Sequence, residues 1–169
     1  DAAGNTSAQG SDTAKVGDTT APNAPTVLIV DDNNPDDRLL TAAEIGNDDV
    51  QLTVTINATD FEAGGVVTLT INGGAAFTLS YDNGVLRFAN GDEASNYTYS
   101  NGVISWTETT PADGQSITVT ATQTDAAGNT SAQGSDTAKV GDTTAPNAPT
   151  VLIVDDNNPD DRLLTAAEI

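Results

Sequence analysis

Residues 50–56, VQLTVTI, alternate without a break: Val50, Leu52, Val54 and Ile56 lie on one side, and Gln51, Thr53 and Thr55 on the other. Successive side chains of a strand leave opposite faces, so a period of two predicts a β-strand with one buried face. The pattern returns at Val67, Leu69 and Ile71; at Phe77, Leu79 and Tyr81; at Leu86 and Phe88; at Tyr97 and Tyr99; at Ile104 and Trp106; and at Ile117, Val119 and Ala121. Turn residues separate these runs at Asn72-Gly73, Asp82-Asn83-Gly84, Asn101-Gly102 and Asp113-Gly114. Asn-Gly and Asp-Gly pairs tolerate the positive φ angles of tight hairpins.

Adding residues 26–30 and a last strand near 130–139 brings the count to about nine. Short alternating strands at this spacing predict an all-β, Ig-like β-sandwich. Trp106, the single tryptophan, falls on the apolar side of its strand and is read as core rather than as a ligand platform.

Residues 1–45 recur unchanged as residues 125–169, a period of 124. A unit of that size is a domain, so the expectation is a tandem repeat of 124-residue period. The Pro-rich segment TTAPNAPT, at 19–26 and again at 143–150, marks the junctions. Residues 1–18 then read as the C-terminal strand of a preceding repeat, 19–143 as a complete domain, and 144–169 as the opening strand and loop of a following one. Such an excerpt from a longer chain would carry no signal peptide of its own.

Twenty-five acids against five bases leave a net charge of −20, with seventeen acids and three bases in each period. A phosphate-tracking surface needs Lys and Arg, so nucleic acid is not an expected partner. Direct membrane contact is disfavoured too, because the longest aliphatic run, residues 27–30, is far too short to span a bilayer. With neither histidine nor cysteine, thiol nucleophiles, disulfides, His-assisted triads and the usual zinc sites are absent. No catalytic residue is nominated, and the expectation is a protein that is not an enzyme. Paired carboxylates suffice for a glycosidase, but these acids cluster in loops and few aromatics are available to line a sugar cleft.

The sharpest local motif is DDNNPDDRLLTAAE at 31–44, where Asp32, Asn34 and Asp36 alternate and Glu44 follows. Alternate oxygen ligands in a tight loop suit one hard cation, in the manner of an EF-hand loop. The match is partial: Pro35 lies inside the loop, Asp37 stands where a glycine would turn the chain, and Glu44 comes one position late. Asn34 as N-cap, Pro35 at the first helical position and Gly46 past the end also spell a short helix. A second set gathers toward the junctions: Asp125, Asn129, Asp136 and Asp142, with Asp155, Asp156, Asp160 and Asp161 of the following copy. Asp60 and Glu62 form a weaker candidate, read equally as an acidic turn. Thr118, Thr120 and Thr122 make a row on the outer face of one strand; a single row without matching neighbours reads as a solvated face rather than an ice- or carbohydrate-binding plane.

The run from VTATQTDAAGNTS through DTTAPNAPT to DDNNPDDRLLTAAE resembles the Ig-like extender repeats of giant calcium-dependent RTX adhesins, ice-binding adhesins among them. The resemblance covers the whole period. It implies a secreted protein on the surface of a Gram-negative bacterium, whose repeats form a Ca2+-stiffened stalk projecting a distal binding domain. The partners implied are adjacent copies of the same repeat, with no ligand for the repeat itself. It also implies linker calcium ligands at Asp18, Asp125, Asn129 and Asp142, and a loop site at Asp32, Asn34, Asp36 and Glu44. Asp37 of that loop, and Asp156 and Asp160 of its second copy, complete the candidate metal set.

Overall fold

The computed structural model describes residues 1–32, 36–46, 49–142 and 144–154. Ten strands and two short helices are found among them: β1 (Thr26–Ile29), β2 (Leu39–Leu40), α1 (Ala42–Ile45), β3 (Val50–Thr55), α2 (Ala58–Glu62), β4 (Val66–Ile71), β5 (Phe77–Asp82), β6 (Val85–Phe88), β7 (Thr98–Ser100), β8 (Val103–Glu108), β9 (Ser116–Thr124) and β10 (Gly134–Val140).

The strands form two sheets, one of four in the order β1-β3-β8-β7 and one of six in the order β2-β10-β9-β4-β5-β6. The chain is therefore all-β, with one sheet facing the other across a single apolar layer. Val50, Leu52 and Val54 of β3 are fully buried or nearly so, as their alternation requires, and Ile104 and Trp106 beside them lie in the same core. From the six-stranded sheet come Val67, Leu69, Leu79, Ile117 and Val119, none of them exposed. Burying each such side chain contributes roughly 1.5–3 kcal/mol, which makes this layer the main source of stability.

Hairpins appear where the Asn-Gly pairs placed them. Asn83 and Gly84 (φ 51 and 87) and Asn101 and Gly102 (φ 50 and 81) turn two-residue hairpins, with both residues in the left-handed region.

Three local features depart from the sequence reading. Leu39–Leu40 adds a tenth strand, parallel to β10, because it carries the fully buried Leu40 out of the acidic loop and onto the core. Asn34 and Pro35, where a helix could begin, lie outside the described residues; the helix that is described begins after Thr41, which caps it, and ends at Gly46 as expected. The acidic turn at Asp60 and Glu62 is a helix: Asn57 Oδ1 accepts the Asp60 amide at 3.3 Å, and Phe61, with no exposure, packs against Tyr81 and Tyr99, whose rings also meet each other.

Gln123 anchors that helix to β9. Its side chain is fully buried, donating to the Asn57 carbonyl at 2.7 Å and accepting the Asn57 amide at 2.9 Å, so both of its polar ends are satisfied.

Candidate functional site

Asp32 ends a 3-10 turn, residues Val30–Asp32, that runs straight out of β1. It is 2% exposed, and neither carboxylate oxygen has a hydrogen-bond partner. Burial pushes its pKa up, and the neighbouring Asp36 and Asp37 carboxylates push the same way. The amides of Asp37 and Leu39 lie on its side and offset part of this without reaching hydrogen-bond geometry. A buried ionised oxygen without a partner is expensive, so the loop presents an acceptor in want of a positive charge.

The other loop acids are exposed or occupied. Asp36 is exposed, and Asp37 Oδ1 accepts the Leu39 amide at 3.0 Å. Glu44 Oε2 accepts from the Thr41 hydroxyl at 2.7 Å and the Thr41 amide at 2.8 Å, closing the capping box of α1. The Thr41 hydroxyl, and then its amide, hold the Glu44 pKa down. Asn34, Asp156 and Asp160, with Asp155 and Asp161, lie outside the described residues. Among those described, no group of three or more acidic side chains is gathered as a ready metal cage.

Part of the junction set, Asp18, Asp125 and Asn129, meets at one pole of the fold. Asp125 follows β9, and its Oδ1 accepts the amides of Ala127 (2.9 Å) and Asn129 (2.8 Å), while Oδ2 accepts Asn129 Nδ2 at 2.8 Å. Gly128 supplies the positive φ, 93°, that closes the turn. The Asn129 side chain, then its amide with those of Ala127 and Gly128, hold Asp125 below the usual carboxylate range against an opposing effect of burial. The copy of this motif at Asp1 to Asn5 makes the same bonds at 2.9 Å each. Asn129 Nδ2 also donates to the Asp18 carbonyl at 3.1 Å.

Asp18, Asp125 and Asn129 are thus brought together, whereas Asp142 lies beyond the far end of β10. Asp18 and Asp142 share one local conformation: each accepts the amide two residues on, from Thr20 at 2.9 Å and from Thr144 at 3.0 Å. Two further acids serve the fold, Asp31 accepting the Gln51 amide and Asp136 the Ile29 amide, both at 2.8 Å.

The threonine row does have neighbours, contrary to the sequence reading, because register sets like against like. Thr118 pairs with Thr137, Thr120 with both Thr70 and Ser135, Thr122 with Thr68, and Thr68 with Thr78. The result is a hydroxyl-lined face four strands wide, part of which bonds to itself: Thr118 to Thr137 at 3.0 Å and Thr68 to Thr78 at 3.3 Å.

On the opposite sheet a shallow groove is lined by Asp49, Gln51, Thr53, Thr98, Ser105 and Thr107, with a single carboxylate and hence no acid-base pair. No helix among the described residues is long and apolar enough to cross a membrane. No family model, curated protein or solved structure matches this chain.

Proposed function

We propose that the chain is a non-enzymatic, calcium-binding spacer: an Ig-like β-sandwich repeat of a tandem array, forming the stalk of a secreted bacterial adhesin. Its partners are adjacent copies of itself. The observation that carries the reading is Asp32, a buried carboxylate with two unpartnered oxygens beside like charge. A hard divalent cation relieves both costs, and with neither His nor Cys in the chain an all-oxygen site favours Ca2+ over transition metals. Asp32 would hold it, with Asp36 and Asp37 as the neighbouring carboxylates of the loop, and the ion would supply charge neutralisation. At a net charge of −20, binding of cations also relieves the self-repulsion of the array.

Thermal unfolding in millimolar calcium and in EDTA tests the reading. At a hundredfold excess over Kd a single site stabilises by about 2.7 kcal/mol, a shift of several degrees. A melting temperature indifferent to calcium would reduce the acids to a solvated surface and end the proposal.

A second reading takes the hydroxyl-lined face as a ligand surface for carbohydrate or ice. Its continuity over four strands favours it, and the bonds among its own hydroxyls weigh against it. Binding by this single domain, abolished by Thr120→Lys, would move the function from spacer to adhesin module.

A further inference from the structure

The sequence TVLIV stands twice, at residues 26–30 and 150–154, whereas VQLTVTI, the sequence of β3, stands once. The first copy supplies β1, with Val27 and Ile29 buried and Leu28 and Val30 half-buried. The second is exposed along its apolar length, Val151 at 84%, Leu152 at 55%, Ile153 at 59% and Val154 at 76%. Among the described residues it belongs to neither sheet. A run of exposed aliphatic side chains with strand-forming sequence is a segment suited to a sheet edge.

The place it fits is the one β1 holds. β1 is the outermost strand of the four-stranded sheet and pairs with β3 alone, from Thr26 opposite Thr55 to Ile29 opposite Leu52, so it can leave without breaking any other strand pair. Because the copies are identical, residues 150–153 offer β3 the same backbone groups, the core the same Val and Ile, and Asp136 the same N–H. The chain is also long enough. A Cβ on Gly134 would meet the Pro25 carbonyl, and Ile29 meets Asp136, so β1 starts beside the start of β10 and runs the same way. From Gly134 to Val140 that strand covers about 20 Å. The chain from Val140 to Thr150, fully extended, reaches about 33 Å, enough to return along it.

We infer that the β1 position is a receptor site for either copy of TVLIV, and that residues 150–153 of the same molecule take it whenever residues 26–29 leave. In the unaltered chain the first copy holds the place, because Pro22 and Pro25 just ahead of it are buried too, while their counterparts Pro146 and Pro149 are exposed. The opening strand is therefore an interchangeable part, and one β3 is served by two donors. Trading an identical element in this way needs no new interface, since every contact already exists in the parent fold.

This rests on the repeated sequence and not on calcium, and its test is run in EDTA so that the two fail separately. Ile29→Asp places a charge at the core position of the first copy, Ile153→Asp does so in the second, and the full chain is also made with both. Ile153→Asp alone is expected to leave the melting temperature unchanged. Ile29→Asp is expected to lower it by only a few degrees, because the intact copy fills the place, and the double variant to melt about 10 °C or more below that. Trp106 supplies a second readout, since Leu52 is the register partner of both Ile29 and Trp106. Its emission should stay that of a buried indole in Ile29→Asp and shift to the red in the double variant. Light scattering should find Ile29→Asp monomeric. Should Ile29→Asp melt together with the double variant, or be rescued only as a dimer, the exchange within one chain is overturned.

Discussion

Asp136 on β10 accepts the backbone N–H of Ile29 on β1 at 2.8 Å, so a carboxylate closes the edge of the first strand where no further strand pairs with it. β1 meets only β3 within its sheet, and an open N–H there would stay unsatisfied against the six-stranded sheet. Asp136→Ala is expected to cost about 1–3 kcal/mol, read as a lower urea midpoint at constant m. Asp136→Asn, which keeps an acceptor, is expected to cost less.

The same strand makes Gly134 indispensable. A Cβ there would collide with the Pro25 carbonyl, whereas at Gly10, the equivalent residue of the first copy, nothing lies within 4 Å. Gly134→Ala should destabilise by about 1–3 kcal/mol and Gly10→Ala should not, in a chain where the two share a sequence context. Equal melting temperatures for the two variants would refute the close approach of β1 to β10.

Removing the charge at Asp32 separates cost from use. Without calcium, Asp32→Asn should equal the unaltered chain or exceed it by about 1 kcal/mol, because a buried unpartnered ion disappears. In calcium the order should invert, with the variant losing most of the ion-dependent rise in melting temperature. A variant that keeps the full calcium response would place the ion elsewhere.

Alkali should unfold the domain through two tyrosines. Burial, aided by the Glu108 charge, pushes Tyr97 up to about 12. Burial, with the bond from Tyr99 to Glu62, pushes Tyr99 likewise to about 12. The folded state therefore keeps protons that the unfolded chain releases near 10.0, so this stability is complete below pH 10 and is lost as pH climbs toward 12. Tyr97→Phe should flatten the alkaline limb of a stability-pH curve; an unchanged slope would assign that limb to other groups.

Phe61 lies under Tyr81 and Tyr99 with ring centroids 6.2 and 5.2 Å away and no exposure. Phe61→Ala should cost about 3–5 kcal/mol, which calorimetry would register as a fall in melting temperature of many degrees.

Most of the sandwich was legible in the chain because its signals are local. Alternation over 50–56 needs no partner to be recognised, Asn-Gly pairs dictate their own hairpins, and the DAAGN turn makes the same bonds in both of its copies. Asp32 could be singled out from its spacing, yet its burial and lack of partners depend on how the 3-10 turn, the loop and the core stack together.

By itself, then, the sequence determined strand identity, hairpin turns, the repeat and the absence of thiol and imidazole chemistry, all properties of neighbouring residues or of composition. Only the tertiary structure decided which strands pair, and with that which threonines stand side by side, which acids are spent on amides far along the chain, and which turn meets Asp18. Those outcomes join residues such as Ile29 and Asp136 or Asp18 and Asn129, more than a hundred positions apart. Their meeting depends on the register of whole sheets, which no local pattern encodes.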